Sequence, residues 1–259
     1  MQNSLPSEEL FAFLNELGDE ARTLALKYFR ARFDVATKPD SSPVTDADRA
    51  IERRVREIIA RRFPCHSIFG EEEGGVIAAG TNWVIDPIDG TKGFIAGVPL
   101  FGTLVAMVED GLPTCGMIEM PALRERWIGD GRQTLLNGQV CKTSSCGRLR
   151  EARLCTTDPY TFRDHAATAF ESLARSAILT RYGTDCYGYA LLASGHVDLV
   201  VETELEVFDV MALVPVVRGA GGVISTWSGA AVDAGFDGTI LAASTPELHA
   251  EAIQFMAAP

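Results

Sequence analysis

The chain has 259 residues, 47% hydrophobic and 8% aromatic, enough apolar material to bury one large core or two closely packed lobes. Its 35 Asp and Glu against 23 Lys and Arg give a formal net charge of −12, which works against non-specific attraction to nucleic acid or to an anionic membrane. The opening MQNSLPSEEL lacks the basic and apolar stretches of a secretory leader, and no run approaches the ~18 apolar residues of a membrane span, so the cytoplasm is the expected location.

Leu10, Leu14, Leu17, Ala21, Leu24 and Tyr28 recur at helical spacing and predict a long amphipathic helix over 7 to about 33. Lys38-Pro39-Asp40-Ser41-Ser42-Pro43 breaks the chain, and Thr45-Asp46-Ala47-Asp48 opens a second helix through Ile51, Val55, Ile58 and Ile59 to about Arg62. Past the glycine-bounded segment 70–80 the pattern turns to β-type runs at 83–85, 102–109 and 114–120, the last two joined as a hairpin by Asp110-Gly111-Leu112-Pro113. Extended runs at 152–156 and 197–202 then alternate with helices at about 160–175 and 185–193. The tail reads as a helix at 209–218, strands at 222–226 and 239–242, and a helix at 246–256. Such alternation predicts an α/β protein of stacked layers, divided into lobes 1–145 and 146–259.

The most informative stretch is Trp83-Val84-Ile85-Asp86-Pro87-Ile88-Asp89-Gly90-Thr91, an apolar strand that ends in two acids three positions apart. Pro87 prevents a regular ladder and Gly90 permits a tight bend, so the two carboxylates, the Ile88 carbonyl and the Thr91 hydroxyl can converge. All four supply oxygen, which suits a hard divalent cation. In isolation the same residues also read as a polar turn. Upstream, Gly70-Glu71-Glu72-Glu73-Gly74-Gly75 would by itself be a solvated loop. Taken together, Glu71, Asp86 and Asp89 on neighbouring loops would repel one another strongly unless a cation neutralised them.

These residues, with Phe208-Asp209-Val210 and Gly219-Ala220-Gly221-Gly222 later on, resemble the motifs of the inositol monophosphatase superfamily, which includes fructose-1,6-bisphosphatases. The order matches, and the likeness spans nearly the whole chain. It implies an αβαβα sandwich and a magnesium-dependent hydrolase of small phosphate monoesters, with two or three Mg²⁺ per site, lithium sensitivity and commonly a homodimer. It also implies that Glu71, Asp86 and the Ile88 carbonyl hold one ion while Asp86, Asp89 and Asp209 hold a second. Thr91 and Asp48 would orient the attacking water, Glu71 would be a further catalytic acid, and the N–H groups of Gly90 and Thr91 would face the phosphate. Asp48 also reads as a capping-box partner of Thr45. Gly183, Thr184, Asp185 and Glu202 would line the alcohol pocket.

The physical logic is consistent with these implications. A phosphate monoester dianion repels a nucleophile, and paired metal ions screen that charge, activate water and stabilise the leaving alkoxide. Longer strings, Asp185-Cys186-Tyr187, Gly195-His196-Val197-Asp198 and Asp-Gly-Thr-Lys-Gly-Phe at 89–94, look closest to bacterial histidinol-phosphate phosphatases of histidine biosynthesis. Asp185 and Glu202 suit the ammonium and imidazole of that substrate, although carboxylates also accept sugar or inositol hydroxyls. A broad inositol- or sugar-phosphate phosphatase is therefore the alternative, and a non-catalytic relative that binds a phosphorylated ligand is an alternative of another class.

Other readings are weaker. An aspartyl nucleophile needs Asp-x-Asp, whereas two residues separate Asp86 from Asp89. Gly219-Ala220-Gly221-Gly222 lacks the third glycine of a dinucleotide loop and reads as a helix end leading into a strand. His66, His165, His196 and His249, like the six scattered cysteines, lack metal-ligand spacing. Lys38 and Lys92 are each either a phosphate contact or a solvated charge.

Overall fold

The computed structural model describes residues 7–31, 35–37 and 43–256. In chain order the first half comprises α1 (Ser7–Tyr28), β1 (Val35–Thr37), β2 (Pro43–Thr45), α2 (Asp46–Arg62), β3 (Ser67–Gly70), β4 (Thr81–Asp89) and α3 (Thr91–Ala96). A meander follows: β5 (Gly102–Glu109), β6 (Leu112–Met120), β7 (Glu125–Gly129), β8 (Thr134–Leu136) and β9 (Gln139–Val140). The second half comprises β10 (Arg153–Thr156), α4 (Asp164–Ser176), β11 (Leu179–Tyr182), α5 (Cys186–Ala193), β12 (Leu199–Glu202), α6 (Val207–Val210), α7 (Leu213–Gly219), β13 (Val223–Ser225), β14 (Ile240–Ala243) and α8 (Pro246–Met256).

Strands β3 to β9 form one sheet in sequence order, and a second sheet has the order β11-β10-β12-β14-β13; β1 and β2 pair by themselves. The period-2 alternation of strand side chains sorts residues onto layers. Trp83, Ile85, Val105, Met107 and Met117 face α1 and α2, where they meet Leu14, Leu17, Ile51 and Val55. Val84, Leu104, Ala106 and Ile118, on the opposite face, pack with α5 and α7 residues and with Val200 and Ala242 of the second sheet. That sheet's far face, through Leu154, Leu199, Val201 and Leu241, meets Phe170 and Leu173 of α4 and Leu248 and Ala252 of α8. Five layers result, αβαβα, as expected. Buried Glu119 on β6 accepts from Arg22 of α1 and Arg126 of β7 and ties the outer helix to its sheet.

Several boundaries differ from the sequence reading. Helix α1 stops at Tyr28 rather than near Phe33: Arg30 takes a left-handed φ of 59° and donates to the Gly97 carbonyl at 3.0 and 2.8 Å, while Phe33 lies outside the described residues. The hairpin turn is tighter than four residues, because Asp110 and Gly111 both adopt positive φ and β6 already begins at Leu112. The helix expected at 209–218 is two, α6 and α7. Pro215 has no N–H to offer the carbonyl of Met211, so the helix restarts at Leu213, with the proline in its first turn. The Gly219 segment closes α7 and leads into β13, as read from sequence.

Candidate active site

Strand β4 carries the key residues. It pairs regularly with β5 up to Asp86↔Leu104 and resumes at Asp89↔Gly102, so three steps oppose two. The bulge absorbs Pro87, which has no ladder donor, and it has a geometric effect: at odd spacing in a regular strand Asp86 and Asp89 would face opposite ways. Thr103 Oγ1 donates to the Pro87 carbonyl at 2.8 Å and Thr91 Oγ1 to the Ile88 carbonyl at 2.9 Å, fixing the bulge from both sides. Gly90 caps α3 at φ 84°, and a Cβ there would sit 3.2 Å from Cγ of Asp185; glycine lets the loop and the start of α5 meet.

One carboxylate oxygen from each of Asp86, Asp89 and Asp209 lies within 4.8 Å of the other two. Asp209 arrives from α6, where it also accepts the Glu206 N–H at 2.7 Å. Asp89 accepts the Cys186 N–H at 2.6 Å. Asp86 is 2% exposed, and its Oδ1 has no hydrogen-bond partner. Burial, then the charge of Glu71, then those of Asp89 and Asp209, push the Asp86 carboxyl far above the usual range, and Glu71 also hydrogen-bonds it. Burial and the Asp89 charge likewise raise Asp209. Such a cluster retains protons or takes up a cation. An orphaned buried oxygen within an all-oxygen donor set fits a hard divalent metal.

A cavity of about 280 Å³ runs from Asp89 and Asp209 to the second sheet. There β10 lies parallel to both β11 and β12, so their carboxyl ends point the same way, the usual place for ligands in open α/β sheets. Those ends deliver Thr157, the Gly183–Asp185 turn and Glu202. Glu202 is 5% exposed and accepts from the Thr157 N–H at 2.9 Å, from the Thr157 hydroxyl, and from Tyr189 at 3.0 Å. Burial pushes its carboxyl up to about 7 although these hydrogen bonds pull it down. Asp185, at φ 46°, is pushed up to about 8 by burial and by Asp89 and Glu202, with Lys92 opposing.

The structure thus gathers Glu71, Asp86, Asp89 and Asp209, with the Ile88 carbonyl and Thr91 on the same bulge. Asp48 is not part of the trio: it is buried in the first turn of α2. Asp185, Glu202 and Lys92 line the cavity, whereas Gly183 and Thr184 do not; the buried Thr184 hydroxyl lies against Gly188 and interacts with Cys155. Lys38 lies outside the described residues. None of the histidines lines the cavity; His66 accepts from Trp83 Nε1 at 3.1 Å and His249 bonds Ser225 at 2.8 Å. All six cysteines are free, and burial pushes the Cys115 thiol up to about 12. Sequence reasoning missed Thr157, Asp158, Tyr189 and Glu204 of the cavity wall. Their signal was positional, since Thr157 and Asp158 follow one strand end and Glu204 follows another. Among the described residues no helix is long and apolar enough to cross a membrane.

A family model described as the inositol monophosphatase family matches residues 7–257. The chain is similar to the chloroplastic bifunctional phosphatase IMPL2 of Arabidopsis thaliana, 44% identical over 98% of this chain and 79% of that one. It is also similar to the histidinol-phosphatase of Mycobacterium tuberculosis, 38% identical over 83% of this chain and 86% of that one. Among solved structures an inositol monophosphatase from Zymomonas mobilis superposes with a TM-score of 0.88, at 40% identity over 98% of this chain and 99% of the other.

Proposed function

Because the chain belongs to the inositol monophosphatase family and is a metal-dependent phosphomonoesterase, we propose that it hydrolyses histidinol phosphate to histidinol and phosphate, with two or three Mg²⁺ as cofactor. The observation that carries this reading is the concentration of carboxyl groups on the cavity wall away from the metal cluster, where burial holds protons on Asp185 and Glu202 that a cationic leaving group would displace. Among the described residues, Asp158, Asp185, Glu202 and Glu204 line the wall against a single cation, Lys92. An ammonium and an imidazole on the leaving group would satisfy that wall with charge-assisted hydrogen bonds, which a neutral polyol makes less strongly. The Mycobacterium relative's name agrees with it.

In this reading Glu71, Asp86 and the Ile88 carbonyl would hold one ion, and Asp86, Asp89 and Asp209 a second. Bound there, the ions would supply charge screening of the ester and a more acidic water. Thr91 and Asp48 would orient that water and take its proton, the N–H groups of Gly90 and Thr91 would face the phosphate, and Lys92 would balance the charge beside Asp185. Glu202, held by Thr157 and Tyr189, would fix the alcohol moiety. We extend the reading to a homodimer in the cytoplasm, which light scattering on the purified protein and localisation of a tagged copy would check.

A second reading, an inositol- or sugar-phosphate phosphatase, is favoured by the Zymomonas structure, and carboxylates also accept hydroxyls. Steady-state kinetics on a panel of esters tests both. Histidinol phosphate is expected to show the highest kcat/KM, and a clear excess for inositol 1-phosphate would overturn the narrower reading. Phosphate release that survives EDTA would remove the metal-dependent chemistry altogether, and its absence for every ester would favour a ligand-binding relative.

A further inference from the structure

Beneath the loop that carries Glu71 lies an ion pair outside the ligand set, between a fully buried glutamate and a half-buried arginine. Glu52, on α2, has no exposed surface, and its two carboxylate oxygens accept the backbone N–H groups of Glu72 at 2.7 Å and Glu73 at 3.0 Å. Arg56, one turn further on, donates its Nε to Glu52 Oε1 at 2.8 Å and reaches past it to the carbonyls of Ile68 and Gly74, at the two ends of the same loop. The fit is close: a Cβ on Gly70 would stand 2.3 Å from Glu52 Oε1, so any side chain there would push the pair out of place. On its other side the loop is fixed to β4, where the Glu71 N–H donates to the Ile85 carbonyl at 3.1 Å, one residue from Asp86. Glu71 is therefore held between two anchors, a strand that carries one metal ligand and a buried carboxylate with its guanidinium.

We propose that Glu52 and Arg56 are positioning residues that fix the Glu71 carboxylate toward Asp86 and so set the affinity of the site for its divalent cation; this deepens the metal-dependent reading and rests on it. The chemistry suits such a role. Three glutamates in a row next to clustered aspartates would swing apart in the metal-free chain, and the amides on Glu52 hold the backbone against that repulsion. Arg56 offsets the charge that Glu52 adds and spans both loop ends with one planar fork, which a lysine cannot do. Partners standing behind metal ligands typically contribute roughly 10–100-fold in metal affinity.

The test is a Mn²⁺ titration of the complete protein without substrate, followed by electron paramagnetic resonance, for the wild type, Glu52→Gln and Arg56→Lys. The expected result is a rise in Kd of about tenfold or more for Glu52→Gln and a smaller rise for Arg56→Lys, by the same general range. At saturating Mg²⁺, KM for the ester should stay within about twofold of wild type while the Mg²⁺ needed for half-maximal rate rises in step with the Mn²⁺ Kd. A folded Glu52→Gln protein with wild-type Mn²⁺ affinity and only a lowered Tm would overturn the proposal, because the pair would then serve stability alone. Should Glu52→Gln fail to fold, unchanged Mn²⁺ affinity in Arg56→Lys overturns it equally. A wild type without saturable Mn²⁺ binding would instead remove the metal-dependent reading beneath it.

Discussion

The two walls of the cavity use the same side-chain chemistry in opposite ways. On the side of the larger sheet, Asp86 is buried with an unpartnered oxygen, the charges of Glu71, Asp89 and Asp209 add to burial in raising its proton affinity, and Asp89 and Glu71 do the same to Asp209. On the side of the smaller sheet, Glu202 is equally buried but accepts three hydrogen bonds from Thr157 and Tyr189. One wall is incomplete until a cation arrives; the other is already oriented. Buried polar groups are normally satisfied by the protein itself, so the orphaned Asp86 oxygen beside Asp89 and Asp209 fits a cation, and in the proposed function the pre-oriented Glu202 would read the substrate.

The sharpest way to break this comparison is to neutralise the first wall. Asp86→Asn and Asp89→Asn are expected to remove measurable turnover and divalent-ion binding together, as read by phosphate release and calorimetric titration. Near-normal kcat in either variant would refute the ligand assignment. Thr91→Ala comes next. Its hydroxyl supplies no charge and ties down only the Ile88 carbonyl, so kcat should fall by roughly 10²–10⁴, the size of effect of losing acid–base assistance, while ion affinity falls much less. Equal losses of ion affinity and rate would place Thr91 among the structural supports of the bulge instead.

The first wall was legible in sequence and much of the second was not, for physical reasons. Asp86, Pro87, Asp89 and Gly90 combine two acids with a residue that cannot donate to a ladder and one that bends freely, so local chemistry forces a departure from regular structure. Thr157 and Tyr189 carry no such mark; only the parallel alignment of β10 and β12 and the placement of α5 bring them to Glu202. Alternating helical and β-type runs were enough for the mixed α/β class, whereas the five-layer order was implied by the family resemblance and not by periodicity. Strand β11 escaped notice because Leu179-Thr180-Arg181-Tyr182 sits at the edge of its sheet with Leu179 and Tyr182 exposed, which removes the buried alternation a sequence reading relies on. Strands β7 to β9 are short and Gly- or Asn-punctuated, and they owe their pairing to the meander that precedes them.

The second wall can be probed without touching the first. Glu202→Gln keeps the shape of the side chain and removes its charge. With histidinol phosphate, kcat/KM is expected to fall about 10- to 100-fold, the range for a lost hydrogen bond to a charged partner at about 1.5–3 kcal/mol. With inositol 1-phosphate the fall should be smaller, and the Mg²⁺ dependence should not move. A uniform loss across esters would mean that Glu202 holds the cavity together rather than reading the leaving group.

The smallest expected effect sharpens the contrast through pH. Without a cation the folded chain keeps protons on Asp86, Asp89 and Asp209, and on Asp185 up to about 8 and Glu202 up to about 7, against ordinary values of 3.8 for Asp and 4.5 for Glu. A carboxyl whose folded pKa is raised contributes no penalty below its unfolded value, and stability is lost as pH rises from there through the folded pKa. The EDTA-treated protein should therefore lose Tm between about pH 5 and 8, and Mg²⁺ should restore most of it by charging the first wall favourably. Asp86→Asn in EDTA should match wild type near pH 5 and exceed it at pH 8, by roughly 2–4 °C for each kcal/mol of repulsion relieved. The portion that Mg²⁺ fails to restore belongs to Asp185 and Glu202, so the double variant Asp185→Asn, Glu202→Gln should flatten it. If Mg²⁺ leaves the slope unchanged in wild-type protein, the raised carboxyls of the first wall are not where the ion binds.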